Sequence, residues 1–539
     1  MPYARGSGRL RPSHGRTRAA QWVALLVASG CLAACGTTLN VRDTTSGSGT
    51  TNGASDQGLS GTSGSGLSTG TSGAASGTGQ STGQSSSAGP GLGSGAGPVP
   101  TGGGVPTGVT GSGSGPQRGG GPAPATTHGS AGSSAPSSAA RGPVLVGFLA
   151  SDFSKTAAAF GVGNGTSPDV HRFNKALVAY VNVHGGLSGR QIKPVYYSID
   201  GASSDYNNAS QAACDSLTQD NHVAVVVSDL WTNPVLASCL LKAGVPQLEG
   251  SGNINTDETL LAQHPNLFAP SGLAADRQAA AELTTAVKLG WLKPTDKLGV
   301  MYDSCPYNVN AFKNVTEPLA AQYKIKLDPI EYSCGNGFSD VGALETAIQQ
   351  AVLKMHTDGV TVVTFLAYGE EGPVNFFALD ASSQHWNPQY IVSSVADMAG
   401  IASLMPADQN PNVRGVGWVP IADSANPGTT PGATACQRDI VAGGGTPATS
   451  GTDLVSMYIS CSGFFLLHDA LVASGGASGF SNIRASIEHL GSSFSAVSSI
   501  NGSSFFSASR HDGVSTVRPF GWKTSCSCFD YIGPPQPAP

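Results

Sequence analysis

Val144-Leu-Val-Gly-Phe-Leu149, followed after a gap by Val183-His-Gly-Gly-Leu-Ser-Gly-Arg-Gln-Ile192 and then Asp200, decides how the rest of the chain is read. The first run has the length and apolar character of a buried strand. Pro168 and Asp169 then open an amphipathic stretch to His184 that puts Phe173, Leu177, Tyr180 and Val181 on one face, which predicts a helix. Gly185-Gly186 stops it, and a second strand is predicted over 192–199. Continuing outward, helices are predicted over 205–218 and 234–242, with strands over 222–227 and 245–248. Strands alternating with helices imply a parallel sheet covered on both faces.

The rhythm then restarts. Strands are predicted over 298–302, 324–330, 359–366 and 389–392, separated by helices over about 308–322, 341–356 and 373–382. Further helices are predicted over 274–289, 454–472 and 481–490. Two successive sets predict an α/β fold of two similar lobes, each a parallel sheet with helices on both faces. Ligands of such sheets bind beyond the carboxyl ends of the strands, so the loops that follow strands matter most.

In front of this body lies a different kind of sequence. Residues 36–142 hold 31 of the 73 glycines, no aromatic residue other than histidine, and five charged residues: Arg42, Asp43, Asp56, Arg118 and Arg141. Such a segment cannot bury enough apolar surface to offset its ordering entropy, and it is expected to be a disordered tether. A Gly/Ser-rich coil of this length has an r.m.s. reach of roughly 55–60 Å. The chain carries a net charge of −6, but the 397 residues from 143 onward carry −12, because the leading segments are basic. An acidic body argues against a nucleic-acid partner, which would require clustered Lys and Arg.

The first 35 residues contain Arg5, Arg9, Arg11, Arg16 and Arg18, an apolar run over 19–34, and Leu32-Ala33-Ala34-Cys35-Gly36. A basic start, a short apolar stretch and small residues before a cut site describe a secretory signal; a membrane-spanning helix needs about 20 apolar residues. Leu-Ala-Ala-Cys before Gly resembles the bacterial lipobox, which implies lipidation of Cys35 and attachment to the outer side of the cell membrane. Two or three acyl chains anchor stably where one is marginal. The alternative is an ordinary signal with an incidental cysteine.

Beyond Cys35 the exported body keeps Cys214, Cys239, Cys305, Cys334, Cys436, Cys461, Cys526 and Cys528. An even number in an exported chain favours disulfides over metal ligands. The sequence leaves all 105 connectivities open. Spacing suggests nearest neighbours, with the Cys526/Cys528 pair the most strained and a redox-active CxC the alternative reading.

The strand with Val146-Gly147-Phe148, the helix ending in Val183-His-Gly-Gly-Leu-Ser-Gly189, and the strand ending at Asp200 resemble the opening of type I periplasmic binding proteins, in the branch of the leucine/isoleucine/valine-binding proteins. Val223-Ala-Val-Val-Val-Ser228 with Thr232-Asn233-Pro234, Gly244-Val245-Pro246, and Leu298-Gly-Val-Met-Tyr-Asp303 fit the same order. The resemblance covers about 143–530. After the signal (1–35) and tether (36–142) already read, it implies the segments 143–270 first lobe, 271–415 second lobe, 416–505 return to the first lobe, and 506–539 crossover and tail. It also implies a first-lobe disulfide, which suits Cys214 and Cys239.

By the same resemblance the lobes close over a small polar ligand, such as an amino acid or amide, which passes to the permease of an ATP-driven (ABC) importer. A sensory surface receptor of the same fold, signalling through a partner, is the alternative. Candidate ligand residues on the loops after strands are Ser151, Asp152, Ser228, Trp231, Thr232, Ser251 and Asn253 in the first lobe. In the second they are Asp303, Tyr307, Tyr368, Glu370 and Asp397. Asp229 and Glu249 lie beside them. Where amino-acid binders of the family carry Gly-Ala-Thr, this chain has Glu249-Gly-Ser-Gly-Asn253. The body contains no G-x-S-x-G, no G-x-x-x-x-G-K-[ST] and no H-E-x-x-H, so binding without catalysis, cofactor or metal is expected.

Overall fold

The computed structural model describes residues 142–539 except 153–168, 202, 230–232, 253 and 368. The expected signal, Cys35 and the expected tether lie outside the described residues. In chain order the first strands are β1 (Val144–Asp152), β2 (Ile192–Asp200), β3 (Val225–Ser228), β4 (Gln247–Glu249) and β5 (Leu267–Phe268). They form one sheet in the order β2-β1-β3-β4-β5, and every pairing is parallel. Parallel neighbours need crossover connections, and here helices provide them on both faces. Successive residues of β1 divide between those faces, as strand geometry requires. Phe148 packs with Phe173, Leu177, Phe464 and Ile483 on one side. Leu149 packs with Leu217, Leu236 and Leu240 on the other.

Local chemistry sets the element ends. After the helix Arg172–Val183, Gly186 adopts φ +79°, and a Cβ there would lie 2.0 Å from the Arg190 carbonyl oxygen. Only glycine fits that turn. Asp205 caps the helix Tyr206–Asp215 by accepting the Asn208 N–H at 3.0 Å, and Asn233 caps Pro234–Lys242 through the Val235 N–H at 2.8 Å. The helix Gly451–Ala473 is long and apolar enough to cross a membrane. Its residues Met457, Cys461, Phe464, Leu467 and Leu471 are instead part of the first sheet's core.

The second sheet is built from β6 (Lys297–Asp303), β7 (Lys326–Tyr332), β8 (Val362–Leu366), β9 (Gln389–Ser393), β10 (Val413–Gly417), β11 (Thr516–Lys523) and β12 (Cys528–Tyr531). Its order is β12-β11-β10-β9-β8-β6-β7, with β13 (Gln536–Pro537) also paired to β11. β6 to β10 are parallel, whereas β11 pairs antiparallel with both β10 and β12. Met301, Phe365, Phe377 and Tyr390 fill one face, and Leu283, Val300, Tyr302 and Phe312 the other. The apolar pattern did not predict β5 or β10 to β12. β5 has two residues, Gly415 and Gly417 interrupt β10, and Pro519 interrupts β11.

The chain passes between the sheets three times: after β5, after β10, and before β11. The helices Pro431–Ala442, Gly451–Ala473 and Phe480–Leu490 lie between the last two passages and pack on the first sheet. Two of the crossings are hydrogen-bonded to each other, Ala269 N to His511 O at 2.9 Å and Gly513 N to Ala269 O at 2.7 Å. Beside them the buried Arg277 forms an ion pair with buried Asp512 and donates to the carbonyls of Val514 and Pro539, each at 2.8 Å. Trp418, fully buried, sits with Leu273, Val416, Val419 and Val514 in an apolar cluster at these crossings. Disulfides join Cys214 to Cys239, Cys305 to Cys334, Cys436 to Cys461 and Cys526 to Cys528, the nearest-neighbour pairings.

Candidate functional site

The carboxyl ends of the two sheets face each other. Gly252, just past β4, approaches Val419 just past β10, and the Trp418 indole N–H donates to the Gly252 carbonyl at 3.4 Å. Farther out, the Tyr206 N–H at the start of its helix donates to the Asn336 carbonyl, in the loop after β7, at 2.9 Å. Between these contacts lie the loops singled out by their position after strands.

On the first lobe, Ser151 and Asp152 end β1 half-buried, with Asp152 in register with Asp200 of β2. Ser228 ends β3 and is fully buried, and Ser251 follows β4 with 4% of its surface exposed. Glu249 ends β4 fully buried, and its Oε1 accepts the Ser251 N–H at 3.1 Å. Burial pushes the Glu249 carboxyl well above the usual range, the nearby Asp229 adds to this, and the Ser251 N–H only partly opposes it. Asp229 turns inward to the helices behind the sheet, accepting Asn174 Nδ2 at 3.0 Å and Ser460 Oγ at 2.7 Å. Burial holds its carboxyl up at about 7 despite those donors. Trp231, Thr232 and Asn253 lie outside the described residues.

On the second lobe, Asp303 ends β6 buried and accepts the Cys305 N–H and Asn308 Nδ2, each at 3.0 Å, which ties it to the start of the helix Pro306–Ala311. Tyr307, on that helix, is buried in the apolar cluster with Tyr302 and Phe312. The structure thus gives both side chains internal partners. Asp303, Cys305 and Cys334 bring possible metal-ligand atoms within 4.8 Å of one another, but both sulfurs are in the disulfide. Tyr368 lies outside the described residues.

Glu370 is fully buried between two elements distant in sequence. It accepts Ser393 Oγ at 2.7 Å, Ser393 N at 3.2 Å and Gln278 Nε2 at 3.2 Å. The same Gln278 amide reaches Glu282 at 3.0 Å, and Glu282 also accepts Thr364 Oγ1 at 3.0 Å. Burial, and then the Glu370 charge, push Glu282 well up; Glu370 is itself held up at about 7, chiefly by burial. Asp397 takes a left-handed φ of +43° after β9. Burial raises its carboxyl, and the charges of Glu371 and Asp423 add to the effect. Glu371 and Asp423 are both held up at about 7, again by burial first, although Asp423 accepts the Tyr531 hydroxyl at 2.7 Å.

Among the described residues no lysine or arginine forms an ion pair with Glu249, Glu282, Glu370, Glu371, Asp397 or Asp423. The strand ends therefore present hydroxyls together with carboxyls that lack a cationic partner. Sequence reading did not single out Gln278, Glu282, Ser393, Ser394, Tyr332 or Asp423 in this cluster. Ser393 and Ser394 obey the same strand-end rule as the others. Tyr332 also ends a strand, with its phenol raised by burial and then by Asp303 and Glu370. Gln278 and Glu282 sit on a helix some 90 residues from Glu370, with no local signal. A separate cavity of about 270 Å³, bordered by Trp291, Gln389, Asn412 and Arg414, lies at the opposite, amino ends of β9 and β10.

No protein-family model matches the chain, and no curated protein matches it. Solved structures do. A solute-binding protein of an ABC transporter from R. palustris, in complex with 4-hydroxybenzoate, aligns over 74% of this chain and 98% of its own at 13% identity and a TM-score of 0.52. The branched-chain amino acid transporter substrate-binding protein from Streptococcus pneumoniae, in complex with isoleucine, aligns over 73% and 100% at 16% identity and 0.50. An extracellular ligand-binding receptor from Rhodopseudomonas palustris HaA2 aligns over 72% and 99% at 16% and 0.52. Nearly the whole of each of those chains is matched, and the protein has the two-lobed fold of the type I periplasmic solute-binding proteins.

Proposed function

We propose that this protein is an extracytoplasmic receptor that captures a small polar ligand, an amino acid, an amide or a related compound, between its lobes and delivers it to the permease of an ABC importer. In this reading a lipid on Cys35 holds it to the membrane and residues 36–142 give it reach. The observation that carries the proposal is the facing of two sets of strand ends, each furnished with buried polar groups. A ligand bonded to both sets stabilises the closed arrangement of the lobes over the open one.

Ser151, Asp152, Ser228 and Ser251, with Trp231, Thr232 and Asn253, serve as the first-lobe contacts. Tyr368, Glu370 and Asp397 serve as those of the second, with Asp303 and Tyr307 shaping the wall behind them. Buried carboxyls with no cationic partner favour a ligand carrying N–H or ammonium donors. The structural neighbours crystallised with isoleucine and with 4-hydroxybenzoate bracket the ligands worth trying first. A thermal-shift screen of amino acids, amides, short-chain acids and aromatic acids tests the reading. A ligand at 100 times its Kd adds about 2.7 kcal/mol of stability and raises the melting temperature. Failure of every compound in a broad set to move the melting temperature overturns it.

A further inference from the structure

The lobes touch at the mouth of the gap as well as at the crossings. β2 and β7 are the outer strands of their sheets, at the edges away from β5 and β11, which lead into the crossings. The loop after β2 and the loop after β7 nevertheless meet. Tyr206 N donates to Asn336 O at 2.9 Å, and Asn336 Nδ2 donates to Asp205 Oδ1 at 3.2 Å. Each partner is fixed from behind. Asp205 is already the cap of its helix, accepting the Asn208 N–H at 3.0 Å. The Asn336 N–H is held by Asp340 Oδ2 at 2.8 Å, the Cys334 N–H by Ser304 Oγ at 2.9 Å, and Cys334 is covalently joined to Cys305 at the end of β6. The next residue, Gly337, lies so close to the other lobe that a Cβ on it would sit 2.7 Å from the backbone carbon and oxygen of Ser204.

We propose that Asp205, Tyr206 and Asn336 form a latch that holds the lobes closed before any ligand arrives, with the Cys305–Cys334 disulfide presenting Asn336 and Gly337 at the height the contact requires. The residues act by positioning: they set how often the strand ends stand at binding distance, and hence the apparent affinity of whatever binds there. The latch rests on the two-lobed binding reading, but it is measurable without a ligand.

The test is a distance between a donor and an acceptor dye on non-natural residues placed at the exposed Gln219 of the first lobe and Gln322 of the second, in the full chain. Ligand-free protein is expected to be mainly closed. Asn336→Ala, which removes one bond at a partly exposed site, is expected to raise the open-to-closed ratio about 5–30-fold. Gly337→Leu, whose Cβ would meet the Ser203 and Ser204 backbone of the opposite lobe first, is expected to leave the protein open. A ligand-free wild type that is open overturns the latch. So does a closed distance that neither variant changes while both melt as folded proteins. A distance that responds to both variants, in a protein to which no screened compound binds, keeps the latch and removes the solute-binding reading.

Discussion

At the scale of single residues, the acids are divided by their partners. Asp512 is buried at the crossings with Arg277, whose other donors are used on the carbonyls of Asp512, Val514 and Pro539. Removing one member of such a pair strands a buried charge, so Asp512→Ala is expected to cost about 3–5 kcal/mol. Denaturant unfolding measures this, and a loss below about 1 kcal/mol would show that the pair is solvated. At the strand ends the acids have hydroxyl and amide partners instead. Sequence reading reached Glu370 and Asp397 because each follows a strand of apolar residues. It could not reach Gln278 and Glu282, because their contacts with Glu370 and Thr364 exist only once a helix from the first crossing lies across β8. Asp303 shows the converse: a strand-end acid whose oxygen is used by the following helix.

At the scale of elements, the chain divides into those that announce themselves and those that tertiary packing imposes. β1, β3, β6 and β8 are short apolar runs ending at polar loops, and they were legible as buried strands. β10 and β11 are strands because neighbours supply their hydrogen bonds. Arg414 to Gly417 pair with Phe520, Pro519 and their flanking residues, and no periodicity marks the segment. The helix Pro431–Ala442 was also missed; its apolar face is small and built from Ala433, Cys436 and Ile440. That helix is stapled to Gly451–Ala473 by Cys436–Cys461, a separation of 25 residues within the first core. Replacing both cysteines by serine is expected to lower stability by about 3 kcal/mol through the freed loop of the unfolded chain. Unfolding of the double variant against wild type checks it, with equal midpoints as the contrary result.

For the whole molecule, the shifted acids add up to a pH dependence with a definite sign. Asp229, Glu370, Glu371 and Asp423 keep their protons in the folded protein up to about 7, whereas unfolded carboxyls lose theirs near 4. Between those values the folded state holds more protons, so stability falls as pH rises, by about 1.4 kcal/mol per pH unit for each proton of difference. His171 and His511, lowered chiefly by burial, oppose this as the unfolded state takes up protons around and below 6.5. From pH 6.5 to 7.5 their opposition fades and the four acids outweigh it, so the melting temperature is expected to fall across that interval. A melting temperature that rises there would mean these carboxyls are ionised and paired in the folded protein. A cationic ligand bound at the second-lobe acids should narrow the fall, because it favours their ionised form.

The three passages between sheets also bear on how the chain acquires its structure. The first core joins Phe148 and Phe173 from near its beginning to Phe464 and Leu467 on a helix some 300 residues later, with the second sheet threaded between. No stretch that stops short of that helix can complete the face of β1 that carries Phe148. A ribosome or a secretion channel releasing the chain from its amino end therefore delivers an unfinished lobe for most of synthesis. Contacts of such high sequence separation slow folding and leave apolar strands exposed meanwhile. An architecture that draws one lobe from both halves of the chain delays folding until the polypeptide is nearly complete, and under the proposed function that delay suits export of the chain before it folds.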